Sequence, residues 1–383
     1  MVILAVGTFV LGVDGFVLPG LLSDISRDLS VSVAAAGQLT TVFAVAYAVG
    51  SPVIATLAGR VDRRVVIGAG MGAFLVGMVL QAAGASFGVV VAGRVVAALG
   101  AAAFQANAFA VAGVLAAPER RARAFAVIGA GSSLAAVLGV PFGLLIGQVW
   151  GWRGTLWTIV VLAAVAAVLA GVFVPSMTLP ATTMRERLAV LVNPRIVMLL
   201  AVSALVLAPS FLLMAYASAV VGVSAPGSAD AILVALLVNG AGFFLGNRLV
   251  GWVAERVASL RVIVAGLGVV AVAAGSLPVV QRWFGPTLVV LFVLGVLGSM
   301  LFIPQQNRVF AAGGDVAAVA LSLNGSMNYV GTAIGAGIGG VVLANGGAGW
   351  LGPAAAVLAA VVLAVALGTA PERRAARPAG AVR

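Results

Sequence analysis

The chain of 383 residues is 63% hydrophobic and only 8% charged, a balance that no water-soluble core could absorb, so it reads as a polytopic membrane protein. Histidine and cysteine are both absent, which excludes thiol nucleophiles, disulfides, imidazole acid–base chemistry and the usual zinc and haem sites, and no cofactor is expected. Twenty-one basic residues stand against 10 acidic ones, a formal charge of +11, and in such a chain that excess reports membrane topology rather than nucleic-acid binding. All of the basic residues are arginine and the chain is rich in Ala, Val, Gly and Leu, a codon usage that points to a high-GC bacterial genome and hence to a bacterial inner (cell) membrane.

Six apolar runs are predicted to be helices in the first part of the chain, at 1–22, 33–58, 65–85, 87–117, 122–147 and 155–174. Six more follow at 196–223, 229–253, 262–280, 287–304, 316–343 and 350–368. Continuous runs of this length are spanning helices, because a barrel would show short alternating segments. The expected fold is therefore an all-α membrane protein of twelve transmembrane helices in two pseudo-symmetric six-helix bundles. Residues 1–174 form the first bundle, 175–195 a cytoplasmic linker, 196–368 the second bundle and 369–383 a basic tail. Met1 opens the first run with no basic flank and no small-residue cleavage site near its end, which argues against a removable signal peptide.

An offset of 196 aligns the two parts: Gly50 with Gly246, Arg60 with Arg256, Gly70 with Gly266, Gly139 with Gly335 and Gly143 with Gly339. One constant register across several helices is the mark of an internal duplication. Alternate connections differ in arginine, with 17 on one side, three (Arg27, Arg153 and Arg282) on the other, and Arg94 inside a helix. The rule that basic loops stay inside then places both termini in the cytoplasm.

The turn after the second helix reads Gly59-Arg60-Val61-Asp62-Arg63-Arg64, and the end of the eighth carries Glu255-Arg256. A carboxylate among arginines at helix ends can form a latch that breaks when the bundles rock. Together with Asp14-Gly15-Phe16, Gly93-Arg94, Gly139-Val140-Pro141-Phe142-Gly143, Gly151-Trp152-Arg153 and 323–331, these turns make the chain resemble the major facilitator superfamily. The likeness is strongest to its twelve-helix drug:proton antiporters and the bacterial sugar and chloramphenicol-type exporters. It implies a cytoplasmic gate at Arg60, Arg63 and Arg64, to which the latch argument adds Asp62, Glu255 and Arg256, a coupling role for Arg94, and an antiporter motif at Gly139, Pro141 and Gly143. Two positions depart from the family pattern: Gly59 stands where an aspartate is usual, and Ala98 where a glycine is usual.

Asp14 and Arg94 are the ionisable residues deep within predicted helices. Asp14 sits eight residues from one end of its helix and Arg94 seven from the start of its own, which places them at about 12 and about 10 Å depth. A lone charge there costs at least about 2.5 kcal/mol, so a shared cavity or mutual pairing is expected, with proton coupling as the role. Polar and aromatic residues at membrane depth, Gln105, Asn107, Asn239, Asn324, Asn328, Phe16, Tyr216 and Phe243, are candidates to line a substrate cavity. The stripe at Ala135, Gly139, Gly143 and Gly147 predicts close helix packing.

The expected function is a secondary active exporter that exchanges a small amphipathic molecule (drug, antibiotic, sugar or metabolite) for protons. Its partners are that substrate, protons and the lipid bilayer, with no nucleic acid and a monomeric state. An uptake symporter or facilitator on the same scaffold is the alternative, and a membrane-embedded enzyme lacks the clustered catalytic groups it would need. The orientation has a direct check in a chain free of cysteine: an impermeant thiol reagent added outside cells should label Ser224→Cys and not Ala181→Cys, and the reverse pattern overturns it.

Overall fold

The computed structural model describes residues 1–117, 120–178, 185 and 190–369, and all regular structure among them is helical. Four helices open the chain: α1 (Val2–Asp28), α2 (Val33–Leu57), α3 (Arg63–Ala83) and α4 (Phe87–Leu115). The next stretch begins as Arg121–Leu134, passes through a π-helical turn at Ala135–Gly139 and continues in Val140–Phe173. Its apolar part, Val127–Phe173, is 47 residues long, or about 70 Å at 1.5 Å per residue, more than twice a hydrocarbon layer of about 30 Å. Gly151 divides it, with φ of 70° and ψ of 172°, a conformation only glycine adopts freely. The two arms are α5 (121–150) and α6 (152–173).

In the second part, α7 is broken into Pro194–Val206, Ala208–Met214 and Ala217–Val221. Then come α8 (Ala229–Arg256), α9 (Ser259–Val280), α10 (Phe284–Met300 with Phe302–Gly313), α11 (Ala317–Gly346) and α12 (Leu351–Gly368). Counting α5 and α6 separately, the described residues hold twelve spans. Connections alternate between an arginine-rich end, with Arg60 and Arg120 in its turns, and an arginine-poor end. The linker residues Ala181, Glu186 and Arg187, the tail residues from 370 on, and the Glu255 side chain lie outside the described residues.

Two boundaries differ from the sequence expectation by more than three residues. Helix α1 runs six residues past Leu22, because Asp24 and Arg27 pair one turn apart and let a polar helix end project beyond the apolar span. Pro304 begins a helical segment rather than closing one: it is third in Phe302–Gly313, where a missing N–H costs nothing because first-turn N–H groups have no partner. Arg308 therefore sits in a helix, and bonds Gln305 and the Thr369 carbonyl at 3.3 and 3.2 Å.

Lipid supplies no hydrophobic force between helices, so close approach of backbones must hold them together. On α5, a Cβ at Gly131 would stand 2.3 Å from the Ala5 carbonyl of α1, at Gly139 2.4 Å from Val13, and at Gly143 2.6 Å from Val17. The Thr155 hydroxyl locks the same point by donating to the Gly143 carbonyl at 2.6 Å. The seam recurs 196 positions later, where Gly331 and Gly335 of α11, the counterparts of Ala135 and Gly139, would place a Cβ 2.3 Å from the Ala204 and Ala208 carbonyls of α7. Thus the repeat read in the sequence is a repeat of helix seams.

Gly72 has open space where its Cβ would be. Gly72→Ala should therefore gain about 1 kcal/mol of helix propensity unopposed, whereas Gly143→Ala should lose about 1–3 kcal/mol to overpacking. Thermal unfolding of the purified variants should order them Gly72→Ala, wild type, Gly143→Ala from most to least stable.

Candidate functional site

Asp14 on α1 and Arg94 on α4 meet. Arg94 Nη1 donates to both carboxylate oxygens, at 2.7 and 2.8 Å, and the two side chains are 1% and 2% exposed. Helix α4 can bring a residue as large as arginine to the centre because small residues surround it, with Gly93, Ala97 and Ala98 all buried. The guanidinium is further held by the Leu39 carbonyl of α2, 3.4 Å from Nε, and by the ring of Phe43, whose centroid lies 4.6 Å from Cζ. A cation over an aromatic face in a dry site gains up to about 2 kcal/mol. Loss of either charge would strand the other, a penalty of about 3–5 kcal/mol for a buried pair.

Around this pair lies an aromatic group that the sequence reading did not select. Phe43 and Tyr47 are one turn apart on α2, with ring centroids 6.4 Å apart, and Tyr329 of α11 stacks on Tyr47 at 3.6 Å and approaches Phe43 at 6.3 Å. The Tyr47–Tyr329 stack is thus joined through Phe43 to the Arg94 guanidinium, and the Asp14 carboxylate lies within electrostatic reach of Tyr329. The four-residue spacing of two aromatics on α2 was the available signal. A second ring contact between the two parts joins Phe16 of α1 and Phe243 of α8, edge to face at 5.7 Å.

The other candidates are dispersed. Gln105 accepts from the Thr8 hydroxyl at 3.5 Å. Asn107 accepts from Arg63 Nη1 at 2.9 Å and donates to the Ala103 carbonyl at 2.7 Å, so it belongs with the charged turn. Asn239 donates to the Leu291 carbonyl at 2.8 Å and thereby ties α8 to α10. Asn324 and Asn328 share the α11 face that carries Gly331 and Gly335 against α7, and three of their amide atoms are buried without a hydrogen-bond partner among the described residues.

Tyr216 sits at a break in α7 and is fully buried. Its hydroxyl donates to the Ala336 carbonyl of α11 at 3.0 Å and accepts from Gln38 of α2 at 3.1 Å. The ring fills a notch left by glycines: a Cβ on Gly37 would be 2.1 Å from it, and one on Gly340 2.6 Å from its hydroxyl. Gln148 of α5 and Asp230 of α8 also meet near this arginine-poor end, at 3.3 Å. The same end holds a cavity of about 580 Å³ lined by Asp24, Arg27, Asp28 and Gln148, which is separate from the buried ion pair.

At the arginine-rich end, Asp62 caps α3 by accepting from the Arg64 amide at 2.8 Å, and it also accepts from the Ser176 hydroxyl and, at 3.3 Å, the Met177 amide. The Ser176 bond, then the Arg64 amide, hold its carboxyl below the usual carboxylate range. Arg63 donates its amide to the Met177 carbonyl at 2.8 Å and its guanidinium to Ala58, Gly59 and Asn107, while Arg64 reaches the Gly171 carbonyl at 2.6 Å. These bonds join the turn to the end of α6 and the start of the linker. Arg60 is exposed, and Arg256 donates to Trp252 of its own helix at 3.1 Å.

The sequence profile of the Major Facilitator Superfamily matches residues 4–319. A chloramphenicol resistance protein of Streptomyces lividans is 35% identical over 389 aligned residues, covering 100% of this chain and 98% of that protein. A probable sugar efflux transporter of Mannheimia succiniciproducens is 26% identical, covering 94% of this chain and 91% of its own. Among solved structures, the nucleoside transporter NupG superposes with a TM-score of 0.76 over 97% of this chain and 99% of its own, at 12% identity, a likeness of fold. With the profile spanning most of its length, a relative aligned from end to end, and twelve helices in the shared arrangement, the chain belongs to the major facilitator superfamily of membrane transporters.

Proposed function

We propose that the chain is a secondary active exporter that extrudes a small amphipathic molecule in exchange for protons, with both termini in the cytoplasm. The bundles 1–174 and 196–368 rock about a central site. The observation that carries this reading is the Asp14–Arg94 pair, an acid and a base without solvent exposure at the heart of a transporter. Rocking changes the water and charge around such a carboxyl, which can take up a proton in one state and release it in the other. The chloramphenicol resistance and sugar efflux proteins among its relatives favour export. Tyr216 in its glycine notch closes the arginine-poor end, which on this orientation faces outside, so the conformation described is closed to the exterior. The α1–α5 seam at Gly139, Pro141 and Gly143 serves as the hinge.

Chloramphenicol is a suitable first probe, given the named relative. In everted vesicles with an acid lumen, the wild type should accumulate it uphill, and Asp14→Asn should reduce that accumulation at least tenfold while downhill exchange persists. Undiminished uphill transport by Asp14→Asn would remove the carboxyl from the coupling mechanism.

Asp62 acts in this reading as the anchor that fixes the gate turn to the linker. Asp62→Asn should lower transport more than it lowers the amount of inserted protein. Because the folded state holds the carboxyl below its usual value, the anchor is complete above about pH 4 and is lost only as pH falls through that depressed value. Normal transport by Asp62→Asn at normal protein levels would reduce Asp62 to a helix cap.

A further inference from the structure

The ion pair lies wholly within the first six helices, yet one side chain of the last six is held against it. Tyr329 packs on Phe43, the ring that carries the Arg94 guanidinium, and stacks on Tyr47 at 3.6 Å, within electrostatic reach of the Asp14 carboxylate. We propose that Tyr329 is the positioning residue through which the second bundle registers the protonation state of Asp14. The inference rests on the proton-carrier reading of Asp14.

The physical chain is short. With Asp14 ionised, the pair is neutral overall, the guanidinium is fixed over Phe43, and Phe43 and Tyr47 together present a flat surface to Tyr329. Protonation adds one H⁺ to a carboxylate oxygen. Arg94 remains a cation, so the site passes from net zero to +1 without solvent, an arrangement that favours any motion admitting water. The contact that must yield is the Tyr47–Tyr329 stack, because it joins α2 to α11 beside the charge. Arg94 from α4 faces Asp14, Tyr329 from α11 lies within its electrostatic reach, and Tyr47 from α2 stacks on Tyr329. Helix α5 turns Gly139 and Gly143 toward α1, α8 brings Phe243 to Phe16, and the α7 segment beside α1, Ala217–Val221, is uncharged. No further titratable side chain from those helices is recorded at the pair among the described residues.

Tyr329→Leu keeps an apolar side chain and deletes the ring that closes the stack. The opened, hydrated state, which binds the proton better, then gains population, and the apparent protonation midpoint rises by about half to one pH unit. Ser326 lies three residues before Tyr329 on the same helix face, is 2% exposed and has no hydrogen-bond partner for its hydroxyl, so Ser326→Cys is a mild reporter in a cysteine-free chain. The full-length protein in nanodiscs is labelled with N-ethylmaleimide across pH, and each rate is divided by that of the same cysteine with Asp14→Asn, which cancels the thiol's own titration.

The expected results are a midpoint moved upward by Tyr329→Leu, the same shift with Tyr47→Leu, and no additional shift when both are combined, since each ring is the other's stacking partner. An unmoved midpoint in Tyr329→Leu, with the ratio still pH-dependent, overturns the role of Tyr329 and leaves Asp14 as the carrier. A ratio flat across pH in the otherwise wild-type chain overturns the carrier reading itself and this inference with it.

Discussion

A guanidinium enclosed by helices that are themselves enclosed by hydrocarbon must find its counter-charge inside the protein. Arg94 has Asp14, and the surroundings of both follow from that necessity. Three buried small residues on α4 make room, a backbone carbonyl of α2 takes a second N–H, and an aromatic face covers the delocalised cation. In water such a pair would contribute about 0–1 kcal/mol. Here its value is less a matter of net stability than of what happens when it breaks, because either partner alone is an uncompensated charge. A site of that kind is poised: small changes in proton occupancy are large changes in local energy.

Close packing sets the second constraint. Val13 and Val17 enter the places where Gly139 and Gly143 lack side chains, and these valines flank Asp14 on the same helix. The position of the carboxylate is therefore tied to the α1–α5 seam, and a sliding of that seam displaces Asp14 relative to Arg94 on α4. Tyr216 and Tyr329 extend the linkage to the second six helices, one near the arginine-poor end and the other at the level of the charge. Both tyrosines belong to the second part of the chain and both contact α2, which makes α2 one of the surfaces on which the two parts meet.

Much of this was legible in the sequence because lipid enforces simple rules. Apolar run length gave the spans, the offset of 196 gave the repeated seams, and depth counted along two helices brought Asp14 and Arg94 to one level. What escaped were questions of azimuth. Asn107, Asn239, Asn324 and Asn328 all lie at membrane depth, but a hydropathy pattern that is apolar all round does not say which way each one points. Asn107 turned out to meet Arg63, Asn239 a carbonyl of α10, and the α11 pair the face of α7. The aromatic group at Phe43, Tyr47 and Tyr329 escaped for the same reason, since ring contacts between parts almost 300 residues apart depend on the mutual rotation of two helices. The helix end at Asp28 and the helix start at Phe302 were missed because polarity and proline were read as stops, where local ion pairing and first-turn geometry permit a helix.

The π-helical turn at Ala135–Gly139 bears on phase. In an undistorted α-helix each four-residue step overshoots a full circle by about 40°, so the small-residue stripe from Gly131 to Gly147 would wander by about 160° around the axis of α5. A single turn closed from i to i+5, as between the Ala135 carbonyl and the Val140 amide, accommodates one extra residue and rewinds the helix by about 100°. The residual drift, about 60°, is what gentle coiling around a neighbour can absorb. One irregular turn thus lets a four-residue glycine repeat track a single partner for more than 20 Å. A substitution that restored regular winding there would leave every side chain of the stripe intact and still aim its far end away from α1.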